Sequence, residues 1–347
     1  MGKPNVLFVL TIDTEEEWQW NNEFPQHDCS VENVKKLPEF QAFCQSLGIR
    51  PTYFVDYAVA NNDEASRILR EFVNTKLAEV GAHLHPWCNP PYFGKTTEAE
   101  SHVINLPEEQ VVQKLDELNR VINEKIGVTP RSFRSGRWGM KGKTLELLAS
   151  RGITVDSSVY PFYENEFFHC KGAPVTPYYP SFDNALAPGE QQNIMELPVT
   201  AGFNTTHFSI ADKVHTALSS GTISAIKPVG ILWHTKLLRK IYLSPELTHS
   251  EDMNTLVNIC LNKKYPVIHM YLHSSSLIDG ATGLLNIDDA FGTICTRISA
   301  VVSHLQEKAD LSFCTITEAA TRLKAAPAAV QTCAEGQNSH ELQRKLP

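Results

Sequence analysis

Val6-Leu7-Phe8-Val9-Leu10-Thr11-Ile12-Asp13-Thr14-Glu15-Glu16-Glu17 decides how this chain is read. Its first half is an unbroken apolar run rich in β-branched and aromatic residues. That is the composition of a strand buried on both faces, as in a parallel sheet covered by helices. The run stops at four carboxylates, Asp13 and Glu15 to Glu17, followed by Trp18 and Trp20. In parallel sheets, ligands and chemistry gather at the carboxyl ends of the strands. Carboxylates leaving a buried strand at that edge are candidates for metal or proton work. An acidic helix start would look the same locally, because negative charge near a helix N-terminus is favourable by about 0.3–1 kcal/mol. The rest of the chain discriminates between the two.

Outward from this stretch, strand-like and helix-like segments alternate. Val34, Leu37, Phe40, Phe43, Cys44 and Leu47 recur at helical spacing and stop at Gly48. Residues 51–56 read as a second strand, 63–75 as a helix, and 79–85 as a third strand ending in Pro86-Trp87. Pro107 opens a long amphipathic helix to about residue 126. A short strand over 132–134 runs into Ser135-Gly136-Arg137-Trp138-Gly139. A helix over 142–151, a strand over 153–156 and a strand-like segment over 195–199 follow. Residues 160–193 carry prolines and aromatics without a period and read as an irregular insertion. Helices are expected at 211–220, 231–241 and 246–263, a buried strand at 267–273, a helix at 287–308, a strand at 311–315 and a helix at 317–325. The tail, 326–347, has no apolar period and is expected to be disordered.

Alternating strands and helices predict parallel strands with helical crossovers. No G-x-G-x-x-G follows the first strand and no G-x-x-x-x-G-K-[ST] occurs, so a nucleotide fold is disfavoured. The expected fold class is α/β, a distorted (β/α) barrel of about seven strands within one domain, 1–325. The formal net charge of −8 and the lack of a basic stretch with interleaved aromatics argue against nucleic acid as a partner. The eight cysteines include no C-x-x-C pair, which excludes a zinc ribbon and fits free thiols in a reducing compartment. No signal peptide or membrane span is evident, so a cytoplasmic location is expected.

Three clusters carry candidate chemistry. His83 and His85 are two apart on a predicted strand, so both point to one face, roughly 6–7 Å apart at the backbone. Two neutral imidazoles at a strand's carboxyl end can share a metal, and a carboxylate from the first strand would complete a three-ligand set with an open position. Glu15 is placed for this, on the same side of the extended chain as Asp13. Arg134, in a short buried strand, needs a counter-charge, and Asp13 is the natural one. His273 ends the late strand and is a candidate general acid. His269 reads as core. Ser274 to Ser276 lack a G-x-S-x-G elbow and read as a polar loop. Trp18, Trp87, Tyr92 and Trp138 lie near predicted strand ends, where aromatic faces either stack on sugar rings or pack loops.

The ordered set Thr11-Ile12-Asp13-Thr14-Glu15, Gly81-Ala82-His83-Leu84-His85-Pro86-Trp87, Phe133-Arg134-Ser135-Gly136-Arg137-Trp138-Gly139, Asp156-Ser157-Ser158 and Leu272-His273-Ser274 resembles the polysaccharide deacetylase superfamily. This superfamily is that of NodB homology, carbohydrate esterase family 4. The chain looks closest to its divergent WalW-like branch, linked with lipopolysaccharide and exopolysaccharide biosynthesis. The resemblance implies a NodB-like barrel and metal-assisted removal of acetyl groups from N- or O-acetylated sugars. It implies Asp13 as catalytic base, Arg134 as the residue orienting it, and His273 as general acid. It further implies Glu15, His83 and His85 around a divalent metal, zinc in the first instance, with Trp87, Arg137 and Trp138 at the substrate. Two positions depart from the family pattern. Thr14 stands where a second aspartate is usual, which moves the ligand to Glu15. Gly81 stands four before His85 where a histidine is usual, which leaves His83 to substitute. A non-catalytic glycan-binding protein on the same fold is the first alternative. A glycoside hydrolase using carboxylates of the acidic run is the second, disfavoured because Asp13 and Glu15 share one strand end.

Overall fold

The computed structural model describes residues 2–18, 24–219, 228–285 and 287–325. Trp20, Cys333 and the expected tail at 326–347 lie outside them. In chain order the elements are β1 (Asn5–Thr14), α1 (Leu37–Ser46), β2 (Thr52–Val55), α2 (Tyr57–Asn61), α3 (Asp63–Asn74) and β3 (Glu79–Leu84). Next come α4 (Glu108–Ile126), β4 (Ser132–Ser135), α5 (Gly142–Ser150), β5 (Val155–Asp156), β6 (Met195–Glu196) and β7 (Ala201–Phe203). The chain continues with α6 (Phe208–Ser219), α7 (Pro228–His234), β8 (Lys240–Tyr242), α8 (Ser250–Asn262), β9 (Val267–His273), α9 (Ala290–Lys308), β10 (Asp310–Phe313) and α10 (Ile316–Ala325).

β1 is apolar from Val6 to Leu10 because both its faces are covered; Phe8, Val9, Leu10 and Ile12 are all buried. It is the central strand of an all-parallel sheet. β9 pairs with it from Leu7 to Asp13 along one edge. The other edge is divided. β10 pairs with Asn5 to Phe8, and β2 pairs with Thr11 to Thr14. The wall then runs β2-β3-β4-β5-β6. The sheet thus has the expected α/β barrel form, with seven strands in the wall and β10 wedged beneath β2 as an eighth. No ladder joins β6 to β9 among the described residues. The gap is bridged by the Thr200 N–H to the His269 carbonyl (2.9 Å) and the Tyr271 N–H to the Leu243 carbonyl (3.2 Å).

Local chemistry sets the helix ends. The Asp56 carboxylate caps α2 through the Val59 N–H (2.8 Å), and Asn62 Oδ1 caps α3 through the N–H groups of Glu64 and Ala65. Gly127, with φ of 88°, terminates α4 in the left-handed conformation that glycine tolerates. The insertion at 160–193 carries no helix or strand, only isolated bridges. Two expectations are corrected. Residues 240–242, expected at the end of a helix over 231–241, form β8. It pairs antiparallel with β7, a strand the sequence reading lacked. All cysteines among the described residues are free. No helix among them is long and apolar enough to cross a membrane.

Candidate active site at the carboxyl end of the barrel

Strand register brings the expected residues to one level. Asp13 lies beside His273 across the β1–β9 ladder, and His83 lies beside Arg134 across the β3–β4 ladder. Arg134 is fully buried yet satisfied. Its Nη1 donates to Asp13 Oδ1 (2.5 Å), its Nε to the Ser157 carbonyl (3.0 Å), and its Nη2 to the hydroxyls of Thr11 and Ser157 (both 2.9 Å). The guanidinium stacks over Phe54 at 4.5 Å, with Trp138 at 4.9 Å. A buried, multiply bonded guanidinium holds its carboxylate partner in one orientation.

His269 supports Arg134 from below. Its Nδ1 donates to the Pro198 carbonyl (3.2 Å), and its Nε2 accepts from Arg134 Nη2 (3.3 Å). Burial and the neighbouring guanidinium push this imidazole well below its ordinary pKa, so it stays neutral and can accept. Its core role is as expected.

His273 is the opposite case. Burial alone would lower its pKa, but Glu246, Glu15 and Asp13 outweigh it and push the ring up to about 10. The ring is a cation at neutral pH. Glu246, which is buried, accepts from His273 Nδ1 (2.7 Å) and from its backbone N–H (3.1 Å). His273 Nε2 faces Asp13 Oδ2 at 3.9 Å. The sequence reading put Glu246 at the start of the helix expected over 246–263; the helix begins at Ser250, and Glu246 lies in the turn before it.

The two other histidines meet Glu15. Its Oε2 lies 3.4 Å from His83 Nε2 and 3.2 Å from His85 Nε2. These three atoms form a buried group of metal-ligand type. Burial would raise the Glu15 carboxyl, but the charge of His273 and the contacts from His83 and His85 hold it well below the usual range. The tautomers fit ligation. His83 Nδ1 lies 3.0 Å from the Arg134 carbonyl, and His85 Nδ1 lies 2.9 Å from Glu16 Oε2. Both partners only accept, so each ring donates through Nδ1 and turns its Nε2, the atom a metal would take, toward Glu15. Thr14 takes no part, since its hydroxyl bonds the Ile12 carbonyl (3.2 Å).

Two glycines explain the histidine spacing. A side chain at Gly81 would meet Phe54 at 2.7 Å and Ser132 Oγ at 2.5 Å, so no ligand fits four residues before His85. At Gly136 a Cβ would meet His85 Cδ2 at 2.1 Å, so the turn after β4 presses on the His85 ring.

The expected sugar-facing residues divide. Trp87 is fully buried, its Nε1–H on Glu16 Oε1 (2.6 Å) and its ring 4.2 Å from the His85 ring. It has no face for a sugar and serves as the floor beneath His85, which corrects the expectation of substrate contact. Arg137 and Trp138 are half-buried in a turn with positive φ at both (63° and 61°), a strained conformation for non-glycine residues. Trp138 stacks on Tyr160 at 4.5 Å beside Arg134. Arg137 bonds Glu98 (2.7 Å) and Ser101 (2.6 Å) and lies over Trp18 and Phe24. The loop after Trp87 is fastened by Lys114, whose ammonium donates to the carbonyls of Pro86, Asn89 and Pro91 at 2.6–2.8 Å.

No family model matches the sequence, and no curated protein matches it. Solved structures do. A Mycobacterium smegmatis protein assigned as a polysaccharide deacetylase superposes with a TM-score of 0.56 at 14% identity, over 94% of this chain and 92% of that one. A family 4 acetyl xylan esterase from Clostridium thermocellum, solved with a cobalt ion, matches at TM-score 0.41 and 14% identity over 94% and 96%. A carbohydrate esterase family 4 pseudoenzyme from Bacillus anthracis matches at TM-score 0.41 and 11% identity over 91% and 66%. The first superposition identifies the fold: this chain has the same barrel as that Mycobacterium smegmatis protein.

Proposed function

We propose that this chain, built on the polysaccharide deacetylase fold, is a divalent-metal-dependent hydrolase that removes acetyl groups from an N- or O-acetylated sugar or glycan precursor. The observation that supports it most is the convergence of the His83 and His85 Nε2 atoms on Glu15 Oε2, next to Asp13 and His273. The donor set of one carboxylate and two imidazoles suits zinc or a similar ion and leaves coordination positions for substrate and water. A metal held by Glu15, His83 and His85 would polarise the acetyl carbonyl and acidify the attacking water.

The chain's own residues supply the proton transfers. Asp13, fixed by Arg134 through Oδ1, takes a proton from water as the water oxygen bonds to the acetyl carbon. His273, a cation held by Glu246, delivers a proton to the departing amine or alcohol as the bond from acetyl carbon to nitrogen or oxygen breaks. Acetate and the free sugar amine or hydroxyl result. Arg134 and His269 keep Asp13 in place without entering the reaction. The half-exposed Trp138 and Arg137 are proposed to border the bound sugar.

Substituting Asp13→Asn tests the base. Acetate release from acetylated oligosaccharides in the presence of zinc or cobalt should fall about 10²–10⁴-fold, with the fold and metal content retained. Turnover at the parental rate would refute the assignment, and release of reducing ends instead of acetate would favour glycoside hydrolysis.

A further inference from the structure

We infer that Glu16 is a positioning residue that sets the tautomer and basicity of His85, and through it the affinity of the metal site. The inference rests on the reading of Glu15, His83 and His85 as ligands. Glu16 follows Glu15 just past the end of β1. It is buried at 1% exposure. Its two oxygens lie 2.9 and 3.2 Å from His85 Nδ1, and Oε1 also accepts the Trp87 indole N–H at 2.6 Å. The His85 ring is therefore held at its edge by a carboxylate and on its face by the indole. Behind Glu16, its backbone N–H donates to Asp56 Oδ2 (3.3 Å), while Asp56 Oδ1 caps α2. The support runs from a helix end through two carboxylates to the ring.

The two histidines differ in what holds their Nδ1. His83 meets a neutral carbonyl and His85 a charged carboxylate. Outer carboxylates of this kind fix ring orientation and raise the basicity of the ligating nitrogen. The charge on Glu16 also offsets part of the cation's charge in a buried place.

A rival reading exists on the same residues. Glu16, Asp56, His85 and Cys88 offer donor atoms within 4.8 Å of one another, the mixture of a closed zinc site. The bonding argues against it. While His85 Nδ1 donates to Glu16 it has no lone pair for an ion on that side. Both Asp56 oxygens already accept, from the Glu16 N–H, the Cys88 thiol (3.6 Å) and the Val59 N–H, and both Glu16 oxygens accept as well. The inner quartet is a support and not a second ion site.

Zinc and cobalt affinities, measured on the full chain by competition with a chromophoric chelator, test this. Glu16→Ala should weaken binding roughly 10–100-fold, with Glu16→Gln, which keeps an acceptor but no charge, in between. Cys88→Ser should bind as the parent does, and the cobalt protein should lack a sulfur-to-metal charge-transfer band. Nitrogen NMR of the zinc protein should show the His85 proton on Nδ1. If His83→Ala loses the metal while both Glu16 variants bind at parental affinity, the inference fails and the deacetylase reading stands. If His83→Ala binds as the parent does, that reading fails and carries this one with it. Metal lost in Cys88→Ser, or a charge-transfer band that it abolishes, would make the inner quartet the ion site and overturn the proposal. Should Glu16→Ala not fold, Glu16→Gln decides alone: parental affinity would overturn it.

Discussion

At the scale of single residues, the barrel mouth sorts its charges by partner. Burial alone would lower the His85 ring, but Glu16 and Glu15 hold it well above its ordinary pKa in the metal-free protein. A metal must displace that proton, so binding releases it. The apparent metal affinity should rise by up to about ten-fold per pH unit below the ring's pKa. Chelator competition at two pH values measures this, and a flat response would mean that the ring is already neutral. Gly136 offers a steric test. The methyl group of Gly136→Ala would collide with His85, whose room is fixed on the other side by Trp87. Metal affinity and acetate release should fall together, while the Asp13–Arg134 pair stays intact. Unchanged affinity would show that the turn after β4 yields. Asp13, Arg134, His83, His85, Glu15 and His273 were legible in the sequence because each ends a recognisable strand. Glu246 and Glu16 were not. One stood at the start of an expected helix, and the other was one carboxylate of a run. A partner across the barrel leaves no mark on local pattern.

At the scale of elements, the weakest part of the wall is where β5 and β6, each two residues long, meet side by side. Asp156 and Glu196 stand opposite each other there, both fully buried. Each has one oxygen bonded, Asp156 to the Ser158 hydroxyl and Glu196 to the Val159 N–H, and one with no hydrogen-bond partner in the protein. Burial pushes both carboxyls up, and the charge of Asp156 pushes Glu196 further. A carboxyl raised in the folded state stabilises the fold fully below its unfolded pKa and loses that contribution as pH rises through the folded value. The thermal midpoint should therefore decline as pH rises above the ordinary carboxyl range, and Glu196→Gln should flatten the decline. An equal decline in the variant would place the titration elsewhere. These short strands were partly legible, since Val155-Asp156 and Met195-Glu196 fell within expected strands. The antiparallel β7–β8 pair was not, because three-residue strands are too short to display a period of two. Long elements declared themselves: β1 and β9 because they are apolar and buried over many residues, α4 because its buried positions recur at helical spacing.

At the scale of the whole molecule, β1 organises the barrel by accepting neighbours from both ends of the chain. The last described strand and helix belong to the core: Cys314, Ile316 and Ala319 pack with Val9, Phe54 and Val267. Removing residues after Ala309 should uncover the lower edge of β1 and abolish a cooperative thermal transition, as read by circular dichroism. A truncated chain that melts cooperatively at the parental temperature would show the β10 wedge to be dispensable. The divided edge of β1 also bears on how the molecule comes into being. β1 is made long before two of its three partners, since Asn5 to Phe8 pair with Asp310 to Phe313 and Leu7 to Asp13 with β9. Pairings between distant parts of a chain close slowly, and an unpaired apolar edge invites association with other chains while it waits. Asp13 and His273 come together only at that late closure. Activity during refolding should therefore lag behind helix formation, and nascent chains should depend on help to keep β1 from wrong partners.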